Sequence, residues 1–170
     1  MTTMIVLRVI HILSGVFWAG SAFFAAAFLI PAVGASGPAG GAVMQQVIGK
    51  RRFPAVSGIA ALLTVLSGAG MYWYNVRVSS GAWARSVPGM TYGIGATAAI
   101  VTIIVALTMI VPTGNHLLEL GGALQARGGP PTPEQMGRLG HLQGRMLFAS
   151  RMAAACLMVA VIAMATARYL

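Results

Sequence analysis

Four apolar stretches, over residues 4–30, 53–75, 90–112 and 145–167, are each long enough to cross a lipid bilayer as an α-helix. A membrane-spanning helix needs about 20 mainly apolar residues. Composition agrees, because 58% of the 170 residues are hydrophobic and only 8% are charged, whereas soluble domains carry about 25% charged residues. The sequence therefore predicts an all-α fold: an integral membrane four-helix bundle, formed by a single transmembrane domain over residues 1–170.

The few charges in the chain are almost all basic. Eleven Lys and Arg stand against two acids, and most of the cations lie at the ends of the apolar stretches. In such positions they contact lipid headgroups, so the bilayer is the expected partner and nucleic-acid binding is not expected. Six cations in the segments 31–52 and 113–145, against four on the other side, favour a topology with both termini outside. We expect a multi-pass protein of a prokaryotic cytoplasmic (inner) membrane.

Two prolines are expected to end helices. Helix 1 should stop near Pro31 and helix 3 at Pro112, because proline lacks the backbone N–H and clashes with the preceding turn. Both prolines follow an aliphatic residue, in "LIPAVG" and "IVPTGN", and a polar lead-in to the next span follows each. Two tandem helical hairpins in the same orientation would produce this repeat, although interfacial segments commonly use proline and glycine.

The starts of helices 2 and 4 have clearer signals. Pro54 should kink or restart helix 2 at the membrane boundary. Thr132 and Gln135 form a capping box around Pro133, which predicts an uninterrupted helix from Pro133 to about Arg168. Polar lead-ins are therefore expected to extend helices 2 and 4 beyond the inner face of the membrane.

Helix 1 contains an ionisable imidazole inside its apolar run. At 100° per residue, one small and polar face gathers six residues: His11, Ser14, Gly15, Trp18, Ala22 and Ala25. Small residues mark close helix contacts in membranes, so this face should point into the bundle. An ionisable group at that depth suggests a functional site. The structural alternative is a neutral histidine hydrogen-bonded to a backbone carbonyl or a hydroxyl across the bundle, such as Thr91 or Tyr92.

A neutral imidazole is a common ligand of haem iron and of copper. Methionine is a known second axial ligand of haem, and Arg8, Arg77 or Arg85 could pair with haem carboxylates. The chain has one cysteine, Cys156, and no CxxCH motif, which excludes covalent c-type attachment. The sequence therefore predicts haem b, with copper as the alternative. The expected cofactor-binding residues are His11, Trp18, Arg8, Met71, Met90 and Met164, with His11 as the metal ligand and Trp18 as a wall of the pocket.

Other chemistry has little support in the sequence. The membrane spans hold no carboxylate pair, no Ser/His/Asp set and no phosphate loop. The sequence therefore predicts no particular catalytic residue. His116 and His141 are expected to be interfacial and solvated. Two functions remain as alternatives to haem binding: a non-catalytic subunit of a larger membrane redox or photosynthetic complex, and a copper-handling protein. A homo-oligomer is also open.

The spacing of His11, Trp18 and Gly20, with Arg52 and Pro54 at the entry to helix 2, resembles a set of small bacterial membrane proteins. The set includes CopD-like copper-resistance domains and HemJ-like protoporphyrinogen oxidases. The segments "GPAGG", "RRFPAV" and "GGPPTPEQ" are most similar to its uncharacterised four-helix members. The resemblance implies that His11 is associated with haem. The later lysine of the HemJ-like enzymes has no match, since Lys50 is the only lysine and helix 3 carries no basic residue.

Overall fold

The computed structural model describes residues 2–170, which form five helices and, within that range, no strand. Helix α1 is Thr2–Ala35, α3 is Phe53–Val78, α4 is Val87–Arg127 and α5 is Pro133–Tyr169. Helix α2 comprises Gly37–Met44 and a π-helical continuation over Gln45–Lys50. All except α2 are long and apolar enough to cross a membrane, so the predicted all-α bundle with four spans is confirmed.

Helices α1 and α4 continue through the prolines that were predicted to end them, so both predictions were wrong. A π-helical turn precedes each proline, at Ala25–Leu29 before Pro31 and at Ala106–Ile110 before Pro112. In a π-turn the hydrogen bonds run from residue i to i−5, as in Val111 N–H to Ala106 O. The wider turn accommodates a residue that has no N–H.

The starts of α3 and α5 follow the sequence prediction. Pro54 lies in the first turn of α3, and the Thr132–Gln135 capping box is formed at the start of α5. The prediction that helix 2 extends beyond the membrane was wrong. Arg52 adopts a left-handed conformation with φ of 51°, which separates α2 from α3. The helices that do extend are α4 and α5.

The four long helices form a bundle in which α1 packs mainly against α3 and α4 mainly against α5. Smaller contacts join α1 to α5 and α3 to α4. The central core consists of one tryptophan among small and aliphatic side chains: Trp18, Ala60, Ala61, Ala99, Leu157 and Ala160. Alanine lets neighbouring helices approach closely, as expected where packing rather than water exclusion holds helices together.

Most large apolar side chains lie on the outside of the bundle, as the bilayer requires. Leu13 and Val16, for example, are 68% and 69% exposed.

Gly68 of α3 lies against His11, and Gly95 of α4 lies against Ala163 of α5. The N-terminus, the 79–86 link and the C-terminus therefore meet at one end of the bundle, here named the terminal end. The protein is a multi-pass membrane protein.

Candidate functional site

His11 lies between α1 and α3, one third of the way along α1 from the terminal end. Its ring is half-buried, and Nδ1 is 2.7 Å from the main-chain oxygen of Thr64. The Ser67 hydroxyl is 3.5 Å from the same nitrogen. The structural alternative, a histidine hydrogen-bonded to a backbone carbonyl across the bundle, is therefore observed, with the carbonyl on α3 and not at the example positions Thr91 or Tyr92.

The bond to Thr64 selects one tautomer of the neutral imidazole. A carbonyl oxygen only accepts, so Nδ1 must carry the proton and Nε2 keeps its lone pair in the neutral ring. Histidines that ligate metals commonly hold their other nitrogen in this way, with a backbone carbonyl as the acceptor. The arrangement therefore fits a ligand that coordinates through Nε2, and it also holds α1 against α3.

Small residues bring the two helices together around the ring. A Cβ added at Gly68 would be 2.8 Å from Cε1 and 3.0 Å from Nδ1 of His11. At Gly15, a Cβ would be 3.5 Å from the methyl group of Thr64. The Thr64 hydroxyl lies 2.9 Å from Ser14 Oγ. The predicted inward orientation of the His11 face is confirmed, and its polar groups form a seam between α1 and α3.

An amphipathic groove of about 630 Å³ begins one turn from His11 toward the terminal end. Leu7 lies four residues before His11, and Gly70 lies two residues after Gly68. The Arg77 guanidinium stacks over the Trp73 ring, 4.7 Å from its centroid. The groove thus combines an apolar floor, aromatic walls and one cation at its edge; its lining includes Thr3, Leu7, Gly70, Trp73, Tyr74 and Arg77.

The structure places two of the other predicted residues near His11. Arg8 is exposed and lies one turn before His11 on α1. Met71 is half-buried and lies one turn after Gly68, on the face of α3 that carries Gly68. Trp18, by contrast, belongs to the central core, two helical turns from His11, where it packs against alanines.

Met90 and Met164 belong to the other pair of helices. Met90 lines a second, lipid-facing groove of about 640 Å³ along α4, together with Gly93, Thr97 and Cys156. The Met164 methyl lies 3.0 Å from the position of a Cβ on Gly95, so it packs between α4 and α5. Both methionines therefore lie on the α4–α5 pair, whereas His11 packs between α1 and α3.

The remaining metal-binding residue types are dispersed. Within residues 2–170, no three His, Cys, Asp or Glu side chains lie close enough together to hold a metal ion. His116 and His141 are both exposed, as predicted. They lie on the parts of α4 and α5 that are far from the terminal end. A metal at His11 would therefore need a porphyrin or sulfur ligands to complete its coordination.

Sequence reasoning missed the α3 half of this site. Thr64, Ser67 and Gly68 stand in the segment "TVLSG", where two hydroxyl residues and a glycine share a helix face at spacings of three and four. That spacing was the available signal. The chain matches no family model, no curated protein and no solved structure.

Proposed function

We propose that this protein binds b-type haem in the half of the bilayer nearest the terminal end, and that Nε2 of His11 would hold its iron. The observation that carries the proposal is the 2.7 Å contact from Nδ1 to the Thr64 oxygen. It orients the ring and leaves the lone pair of Nε2 free to bind a metal. The haem would supply one-electron redox chemistry.

The groove on the terminal side of His11 would fit an amphipathic ligand with carboxylate groups. Arg77 and Arg8 are cations at the terminal end of α3 and α1 and would pair with haem carboxylates. Leu7 and Gly70 offer an apolar surface, and Trp73 an aromatic one. Met71 on α3 would offer a sulfur ligand, whereas Met90 and Met164 lie on the other helix pair.

The cellular setting is part of the proposal. We place the protein in a prokaryotic inner membrane. Both termini would lie outside, because six cations lie toward the end of the bundle opposite the terminal end and four toward the terminal end. The haem would then lie in the outer half of the membrane.

A second candidate function is that of a non-catalytic subunit of a larger membrane redox complex. The length of α4 favours it, since its 41 residues span about 60 Å at 1.5 Å per residue, twice the hydrocarbon thickness of about 30 Å. A haem site near the terminal end does not need that extension. A surface that contacts another subunit would need the extension of α4.

An absorption spectrum and metal analysis of the native protein in mild detergent test the haem proposal. We expect a Soret band that is lost in His11→Asn, because an asparagine amide still donates to the Thr64 oxygen but ligates haem iron poorly. His141→Ala, at an exposed histidine, should keep the band and serves as the control.

Three outcomes would contradict the haem proposal. A band that survives in folded His11→Asn would remove His11 as the ligand. A protein with about one copper per chain and no Soret band would support copper handling through His11 and methionine sulfur. A colourless, metal-free protein that elutes only with a large partner would support the subunit role.

A further inference from the structure

One face of α5 carries unpaired cations in the part of the helix before the membrane span. Arg138, His141 and Arg145 are exposed, and at 100° per residue they lie within one third of the helix circumference. Leu142 and Met146, on the neighbouring side of the helix, are buried. The cations therefore lie beside the buried side of α5.

Three glycines lie on the adjacent side of the helix, about 100° around the axis from these cations. A Cβ added at Gly137, Gly140 or Gly144 would meet no atom within 4 Å, so nothing within the chain requires their small size. Glycine in the middle of a helix lowers its stability. Gly140 and Gly144 are four residues apart, the spacing that lets a second helix approach closely.

Most of this face precedes the fourth apolar stretch, which begins at residue 145. Phe148 is 58% exposed and marks the lipid-facing start of the span, and Gly137 lies about 16 Å farther along the helix axis. At the end of this face α5 packs on α4, where the Met146 methyl lies 3.6 Å from the Cβ position of Gly114. Lipid headgroups reach Arg145. Arg138 lies farther from the hydrocarbon, at or beyond the water-facing edge of the headgroup layer.

We propose that this glycine–arginine face, formed by Gly137, Arg138, Gly140, His141, Gly144 and Arg145, docks an acidic α-helix of a partner subunit. The glycines allow the close approach of a helix, and the arginines on its flank require carboxylates opposite them. A second copy of this chain would bring arginine against arginine, with Glu134 as the one nearby acid. The inference rests on the subunit role proposed above and does not involve His11.

Site-specific crosslinking in native membranes identifies the neighbour of this face. A photoreactive amino acid at His141 should crosslink to a helical segment that carries more acidic than basic residues, identified by sequencing the crosslinked peptide. The same group at Ala123, which is exposed on α4, is the control and should not give that product. Crosslinks from position 141 to lipid or to a second copy of the chain would overturn the proposal, as would none.

Two sets of variants separate docking from folding. Arg138→Glu with Arg145→Glu should lower recovery of the crosslinked complex at least about tenfold. Gly140→Ala with Gly144→Ala should also lower it, while the thermal stability of the isolated chain stays equal or rises, because both methyl groups have free space. Unchanged recovery in either set would overturn the proposal.

The size of the solubilised native complex tells which proposal fails. A chain that elutes alone contradicts both the subunit role and this docking face. A chain that elutes in a larger complex but crosslinks elsewhere contradicts only the docking face.

Discussion

At the residue scale, the contact between His11 and Gly68 leaves no room for an additional atom. A Cβ at position 68 would be 2.8 Å from Cε1 of the ring, and the ring cannot move without loosening its bond to Thr64. We expect Gly68→Ala to lower the free energy of unfolding in detergent by about 1–3 kcal/mol, the usual effect of overpacking. Chemical or thermal unfolding of the purified variant measures it.

Gly58→Ala is the matched control for that experiment. It lies in the same helix, and an added Cβ would meet no atom within 4 Å. The control should be neutral or stabilised by up to about 1 kcal/mol, since alanine favours a helix over glycine. Equal effects at positions 58 and 68 would mean that the His11 ring does not pack on α3 as described.

Thr113 is the second residue with a testable energetic consequence. Its side chain is 1% exposed, and its hydroxyl is buried without a hydrogen-bond partner among the described residues. An unsatisfied buried hydroxyl costs about 1–3 kcal/mol, so Thr113→Val, which keeps the shape, should raise the free energy of unfolding by about 1 kcal/mol.

Thr102→Val provides the comparison for Thr113. The Thr102 hydroxyl is also buried but donates to Ala98 O at 3.0 Å. Removal of a satisfied hydrogen bond should give no gain in stability. A gain at position 102 as large as that at 113 would show that valine is favoured generally and that the Thr113 hydroxyl is not the cause.

At the element scale, the helix starts could be predicted from sequence and two helix ends could not. A capping box depends on neighbouring residues, so Thr132 and Gln135 were sufficient to place the start of α5. Whether a helix stops at Pro31 or Pro112 depends on the turn before the proline. The π-turns there are retained because α1 and α4 both continue along α5, and such tertiary contacts are not visible in a local pattern.

The capping box makes a prediction about local stability in α5. Thr132→Ala removes the hydroxyl that accepts from Gln135 N–H and should cost about 1 kcal/mol. Hydrogen exchange should accelerate in the first turn after Pro133 and stay unchanged within the membrane span. Ser36→Ala is the control, because the Ser36 side chain does not cap α2. Faster exchange throughout α5 would contradict a local effect.

At the scale of the whole molecule, apolar length was sufficient to predict four spans, and the spacing of small residues was sufficient to predict the inward face of α1. They could not show which helix lies against His11, because Thr64 and Thr91 are equally plausible partners until the helix neighbours are known. The position of Trp18 illustrates the same limit. Its helix face was predicted correctly, but its depth in the alanine core depends on α3, α4 and α5 together.

The four-span layout places the 79–86 link and the far end of α4 on opposite sides of the membrane. In a Cys156→Ser background, single cysteines at Ala82 and Ala126, both exposed, report the two sides. With both termini outside, a membrane-impermeant maleimide should label position 82 in intact cells and position 126 only after lysis. A cysteine at Ile100, on the lipid-facing surface, should resist labelling until detergent is added, because the thiol lies in hydrocarbon. Labelling of positions 82 and 126 from the same side would require an even number of crossings between them and would contradict the single crossing made by α4.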